Sequence, residues 1–139
     1  MQLQRIWPSD VYKLVDPESG VPACAQVVEV VRSGPSRSIH VAGTYGCDVD
    51  MKIVENDMAA QVRTAMENIR RSLAAVGALP VDVVRVKTYV TDLDSFKRDG
   101  VTEFVRFWAG QPPVSTAVQV AALGLPHALV EMEVYAEID

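Results

Sequence analysis

The segment QPPVSTAVQVAAL, Gln111–Leu123, decides how the C-terminal half of this sequence is interpreted. The pair Pro112-Pro113 fixes the backbone at its start, and the residues that follow alternate in character as they do in a strand. One alternate set is small or polar and the other is mostly β-branched; these sets are Ser115, Ala117, Gln119 and Ala121, and Thr116, Val118, Val120 and Ala122. A strand that lines a ligand pocket usually carries a charged group, and this strand carries none. The sequence therefore raises the question of what the small-residue face binds.

Length and composition place the chain among globular proteins. With 139 residues, 49% of them hydrophobic and 22% charged, we expect a single domain spanning residues 1–139. The net charge of -5 argues against nucleic acid and against an anionic membrane surface as partners. Apolar runs are shorter than the ~18–20 residues of a membrane span, and no secretory leader pattern is visible. We therefore expect a cytoplasmic protein that binds neither nucleic acid nor a membrane.

Cysteines and histidines give no sign of a metal or redox site. Cys24 and Cys47 form no CxxC motif, and His40 and His127 are far apart in the sequence. We expect reduced thiols, no metal ion and no cofactor, with His127 exposed in a turn.

Hydrophobic periodicity predicts the order β-β-β-α-β-α-β-β. The predicted strands are residues 1–7, 25–34, 36–46, 81–92, 111–123 and 129–139. One helix begins at a cap formed by Asn56 or Asp57 and ends near Gly77, and a second runs from about Asp94 to Trp108. Two amphipathic helices on one face of a mixed sheet are the α+β solution to burying both elements.

The last strand divides into two faces. Its apolar residues fit a helix-covered face, which leaves Glu131, Glu133, Tyr135 and Glu137 on the opposite, open face. If the last two strands pair through the GLPHA turn, Ser115, Ala117 and Gln119 share this open face and lie near Glu131. A solvated sheet face and a subunit interface with a few buried polar groups both fit this mixture.

Five segments, in order along the chain, resemble the RidA/YjgF family of reactive intermediate deaminases. They are HVAGTYG (40–46), DMAAQVRTAMENIRRSLAAVGA (57–78), DVVRVKTYVTDLDSF (82–96), PPVSTAVQVAAL (112–123) and LVEMEVYA (129–136). The resemblance implies a chorismate-mutase-like α+β fold and a homotrimer with pockets between subunits. It also implies hydrolysis of imines and enamines, such as 2-aminoacrylate, to a ketone and ammonia.

The resemblance assigns site residues position by position. In the family, an arginine clamps the substrate carboxylate and a glutamate on the last strand positions the attacking water. The glutamate corresponds to Glu131, whereas the arginine position is Ser115, or Val114 in the alternative alignment. Other pocket positions correspond to Ala117, to Ala23 and its neighbour Cys24, and to Gly43 and Thr44.

Loss of the arginine changes the expected substrate. Removing one partner of a buried charge pair costs about 2–5 kcal/mol, or roughly thirty- to several-thousand-fold in affinity. Arg106 is predicted to lie on the surface of the second helix and not to replace the clamp.

Two hypotheses about function stay open. One is a deaminase for a neutral or larger imine or enamine, with Glu131 as base and Ser115 and Thr44 as hydrogen-bonding groups. The other is a non-catalytic ligand-binding or regulatory trimer. Ribonuclease activity is disfavoured by the acidic charge and by the lack of a histidine pair.

Overall fold

A mixed six-stranded sheet with helices on one face forms the protein, and the computed structural model describes residues 2–139. The strands are β1 (Gln2–Ile6), β2 (Val27–Val31), β3 (Arg37–Tyr45), β4 (Val83–Val90), β5 (Val114–Gln119) and β6 (Val130–Ile138). The helices are α1 (Met58–Ala74), α2 (Leu93–Ser95) and α3 (Val101–Phe107), and a π-helical turn (Phe96–Gly100) joins the last two. The α+β class and the predicted order of elements are confirmed.

Strand order in the sheet is β1-β2-β3-β6-β4-β5. All neighbours are antiparallel except β4 and β5, which are parallel because a helical crossover joins them. The central strand β6 therefore lies between β3 and β4. The prediction that the last two strands pair with each other is wrong, because β4 separates β5 from β6.

Helix α1 covers one face of the sheet. Its N-cap is Asp57, whose carboxylate accepts a hydrogen bond from the Ala60 N–H at 2.9 Å, as one of the two predicted caps. Met58 and Met66 are buried in the core between the helix and the sheet. On β6, the residues facing the helix are all buried; they are Val130, Met132, Val134 and Ala136. We call this the helix-covered face of the sheet, and the side that carries Glu131, Glu133 and Tyr135 the open face.

The second helical segment, residues 93–107, crosses α1 at Gly100. A Cβ at Gly100 would lie 2.9 Å from the Phe96 ring and 3.1 Å from a methyl group of Val62. Glycine therefore permits a close crossing of the two helical layers. The sequence predicts one continuous helix here, and the π-helical turn interrupts it at the glycine.

Two buried amide side chains of α1 fix the loops at the end of the sheet. Gln61 donates to the carbonyls of Val54 and His127 and accepts from the Leu129 N–H, at 2.9, 3.1 and 2.7 Å. Asn68 donates to the carbonyls of Tyr45 and Cys47, at 3.1 and 2.8 Å. These bonds hold the end of β3 and the start of β6 in place.

Within residues 2–139, no helix combines the length and the apolar character that crossing a membrane would require.

Candidate functional site

A cluster of side chains on the open face surrounds Glu131, a residue of β6 that pairs with Tyr45 on β3 and with Tyr89 on β4. The carboxylate lies directly over Gly43, so a Cβ at that position would overlap Glu131 Oε1. Glycine at this position makes the space that the carboxylate fills. The structure thus brings together two of the residues that the sequence assigns to the pocket, Glu131 and Gly43.

The segment between β1 and β2 contacts this cluster through Tyr12. Its hydroxyl accepts a hydrogen bond from the Tyr45 N–H at 2.8 Å and donates to the Gly43 carbonyl at 3.4 Å. The rings of Tyr12 and Tyr45 lie 6.2 Å apart, centroid to centroid. The loop before β6 adds Gly124, where a Cβ would stand 2.7 Å from the Tyr45 hydroxyl oxygen. Together these residues, Glu131, Gly43, Tyr45, Tyr12 and Gly124, form what we call the Glu131 recess.

Partial burial tunes the acid–base behaviour of the recess. It raises the pKa of Glu131; the Tyr45 hydroxyl partly opposes this by hydrogen bonding, and the negative charge of Glu133 raises the pKa further. Burial also raises the pKa of Tyr45, and the Glu131 carboxylate adds to that rise. The recess therefore pairs a neutral phenol with a carboxylate that is more basic than an exposed glutamate. Such a carboxylate can accept a proton from a water molecule.

Ser115 and Ala117 lie on the other face of the sheet. In the parallel pairing, Ser115 is opposite Val86 and Ala117 is opposite Thr88, and both partners are buried beneath the helices. Gln119 follows the same alternation, because its side-chain oxygen accepts a hydrogen bond from the Leu93 N–H at 2.9 Å. The prediction that these residues share a face with Glu131 is wrong, since it depended on direct pairing of β5 with β6.

The Thr44 side chain points into the core. It is fully buried, and its hydroxyl donates to the Ala42 carbonyl at 2.7 Å and accepts from the Gln26 amide at 3.0 Å. Its partner across the ladder is Met132 on the helix-covered face. Core formation uses that hydroxyl within this chain, and a role of Thr44 in substrate binding stays a prediction.

Ala23 and Cys24 are exposed in the segment that precedes β2. The Ala23 N–H donates to the Leu14 carbonyl at 2.9 Å, and the Cys24 carbonyl accepts from the Trp7 indole at 2.8 Å. These contacts anchor the segment through its backbone and leave both side chains free. Their roles in ligand binding stay predictions.

The other singled-out residues lie away from the recess. Arg106 is exposed on α3 and pairs with Glu103 at 3.6 Å, as expected for a surface helix arginine. His127 is exposed in the turn before β6 and lies 3.6 Å from a Glu55 carboxylate oxygen. Among residues 2–139, no group of three or more His, Cys, Asp or Glu side chains is arranged to hold a metal ion.

Sequence reasoning missed the tyrosines of the recess. Tyr45 is the next-to-last residue of the HVAGTYG segment, two residues after Gly43, so its proximity to the pocket rim was a usable signal. Tyr12 lies in a segment without strand or helix periodicity, and only the tertiary fold places it against β3.

Comparisons with known proteins agree with this architecture. The family model described as Endoribonuclease L-PSP matches residues 18–138. Protein DfrA of Myxococcus xanthus is 32% identical over 113 residues, which cover 80% of this chain and 85% of DfrA.

Two solved structures show the same fold over nearly the whole chain. RidA from the Antarctic bacterium Psychrobacter sp. superposes with a TM-score of 0.80 and 28% identity, covering 97% of this chain and 99% of that one. TdcF of E. coli, whose crystal structure contains bound serine, superposes with a TM-score of 0.79 and 21% identity, covering 98% and 99% of the two chains.

Proposed function

This chain belongs to the Endoribonuclease L-PSP family, which includes RidA and YjgF, and we propose that it hydrolyses a small imine or enamine to a carbonyl compound and ammonia. The Glu131 recess supports this proposal more than any other feature. A half-buried carboxylate with a raised pKa, set over a glycine and beside a phenol, is suited to positioning and deprotonating water. Water then adds to the C=N carbon, and the resulting carbinolamine expels ammonia.

The absent arginine limits the substrates that this site can hold. Neither Ser115 nor Val114 can form the bidentate ion pair that fixes a carboxylate bonded to the imine carbon. The preferred substrate is therefore an imine or enamine that does not depend on that clamp, either neutral or larger than a short 2-imino acid.

We further propose a homotrimer in which β5 of one subunit reaches the recess of its neighbour. Members of this family are typically homo-oligomers. All six residues of β5 are exposed along the sheet edge, with Val114 at 65% and Val118 at 41% exposure. Since Ser115 lies on the face opposite Glu131 in the same chain, a site containing both residues requires a second copy.

Hydrolysis of imines generated in place by an amino-acid or amine oxidase tests this proposal. We compare the wild type with Glu131→Gln and with Glu137→Gln, a control that removes an exposed carboxylate from the same strand. We expect ammonia release above the spontaneous rate from the wild type and from Glu137→Gln, and a loss of roughly 10²–10⁴-fold in Glu131→Gln, the usual contribution of a general base.

Two outcomes would contradict the proposal. Equal turnover by Glu131→Gln and wild type would remove the carboxylate from the mechanism. Binding of imine analogues without turnover by any form would favour the alternative of a non-catalytic ligand-binding trimer, which the missing arginine also favours.

A further inference from the structure

A concave feature of the open face lies beside the Glu131 recess. It is a groove of about 420 Å³ whose polar lining residues are His40, Arg85, Lys87, Glu133 and Tyr135. Along its lining the rings of His40 and Tyr135 pack edge to face at 4.8 Å. At neutral pH the groove carries two positive side chains and one carboxylate, whereas the whole chain carries a net charge of -5. The local charge is therefore opposite in sign to that of the protein.

The two cations of the groove are not neutralised by ion pairs. Among residues 2–139, neither Arg85 nor Lys87 lies within ion-pair distance of a carboxylate. Glu133 faces Lys87 directly across the ladder, but its carboxylate accepts a hydrogen bond from the Tyr89 hydroxyl at 2.9 Å. Tyr89 thus holds the Glu133 carboxylate, and within one chain both cations lack a carboxylate partner.

Strand geometry fixes how far this groove is from the reacting carboxylate. Glu131 is opposite Tyr89, Glu133 is opposite Lys87, and Tyr135 is opposite Arg85. Successive residues on one strand face are ~7 Å apart, so the groove begins ~7 Å from Glu131 and extends away from it. In a 2-imino acid the carboxylate is bonded to the imine carbon, so it cannot reach the groove while the imine carbon lies at Glu131. An acid group separated from the C=N carbon by several methylenes can.

We propose that Lys87 and Arg85 bind a carboxylate at the far end of the substrate, so that the protein acts on imines or enamines whose acid group is distant from the C=N bond. This inference rests on the proposed function and specifies its substrate class. It also accounts for the missing clamp at Ser115, since a distal carboxylate is recognised from β4 instead of β5. Within this assignment Lys87 and Arg85 are specificity-determining residues and Tyr89 is a positioning residue.

Binding of glutarate, measured by isothermal titration calorimetry on the full chain in its native assembly, tests the groove without requiring turnover. The diamide of glutarate serves as the neutral control ligand. We expect glutarate and not the diamide to bind. Lys87→Met and Arg85→Met should each weaken binding by roughly tenfold or more, as expected for loss of one charge-assisted contact of about 1.5–3 kcal/mol. Lys97→Met, which removes an exposed lysine from the helical layer, is the matched control and should bind normally.

Turnover provides the second readout. The imine formed by an amine oxidase from 5-aminopentanoate carries a distal carboxylate, and that formed from pentylamine does not. We expect the first to be hydrolysed faster by the wild type, and this preference to disappear in Lys87→Met.

The two proposals fail in different ways. Glutarate binding that Lys87→Met and Arg85→Met leave unchanged, in variants whose melting temperatures match the wild type, would overturn the groove assignment even if imines are hydrolysed. Charge-dependent glutarate binding without hydrolysis of either imine would support the groove and contradict the proposed deaminase activity.

Discussion

The two faces of the sheet differ in how they use the same strands. On the helix-covered face, Met132 and Val86 are fully buried, and even the polar Thr44 is enclosed with its hydroxyl satisfied. On the open face, the same strands present Glu131 and Lys87. Along each strand, alternate residues therefore belong to the core and to the open face. A shift of one residue in register would move the core residues to the open face and the open-face residues into the core.

The difference teaches that equivalent substitutions should have different consequences on the two faces. Substitutions that add atoms on the helix-covered face should lower the free energy of unfolding, because the backbone and core atoms that they meet cannot move aside. Substitutions that add atoms on the open face should alter ligand binding or turnover with little effect on the free energy of unfolding, because the side-chain ends that they meet can rotate.

The largest expected effect on stability comes from Gly46→Ala. A Cβ at residue 46 would overlap the backbone of Gln61 in α1, which cannot yield without moving the helix. We expect a loss of about 3 kcal/mol in the free energy of unfolding, at the upper end of overpacking effects. Urea denaturation measures it, and a loss below about 1 kcal/mol would show that α1 is not rigidly seated on the end of β3.

Gly43→Ala is the matched substitution toward the open face, three residues earlier. Here the added Cβ meets only the carboxylate end of Glu131, which can rotate away. We expect the free energy of unfolding to fall by about 1 kcal/mol or less, the cost of a shifted rotamer. Imine hydrolysis should fall by roughly 10²-fold, because the carboxylate is displaced. Full activity in Gly43→Ala would contradict the contrast between the two faces, because it would show that hydrolysis does not depend on the position of the Glu131 carboxylate.

The Glu131→Gln substitution should change the pH dependence of stability. Because the pKa of Glu131 is raised in the folded protein, ionisation of this group opposes folding at pH values above its ordinary pKa of 4.5. We expect Glu131→Gln to have a higher melting temperature than the wild type at pH 7, with the difference shrinking as the pH falls to 4 and below. Glu137→Gln is the control. If the melting temperature of Glu131→Gln differed from that of the wild type by the same amount at pH 7 and at pH 4, the raised pKa of Glu131 would be contradicted.

A small gain in stability is expected from Thr88→Val on the helix-covered face. Within residues 2–139 the buried Thr88 hydroxyl has no hydrogen-bond partner, so it carries a desolvation cost without a compensating bond. We expect valine to raise the free energy of unfolding by about 1 kcal/mol, removing part of that cost. Thr102→Val on the exposed surface of α3 is the control, and destabilisation by Thr88→Val would show that the hydroxyl has an unseen partner.

Local signals in the sequence were sufficient for most of the elements. Alternation in residues 81–92 and 129–139 identified β4 and β6, and the capping pattern at Asn56 or Asp57 identified the start of α1, where Asp57 is the cap. The division of β6 into a buried and an open face also followed from period two, because each face meets a different environment. These features depend on neighbours in the sequence, which is why the sequence could predict them.

Features set by strand order could not be predicted in the same way. The position of β4 between β5 and β6 depends on a helical crossover, and no residue within β5 encodes it. The face assigned to Ser115 was wrong for this reason. Tyr12 was missed because its contact with Tyr45 joins residues 33 positions apart through an irregular segment.

The most direct test of the account compares hydrolysis of short 2-imino acids, generated by an amino-acid oxidase, by the wild type and by Ser115→Arg. The account holds that the Glu131 recess is intact and that only the carboxylate clamp from β5 is missing. It therefore predicts slow hydrolysis by the wild type and a gain of roughly thirtyfold or more in Ser115→Arg, the lower bound for restoring a buried charge pair. Ser36→Arg, in the exposed turn between β2 and β3, should gain nothing. Absence of any gain in a Ser115→Arg protein that keeps the wild-type fold and assembly would contradict the account.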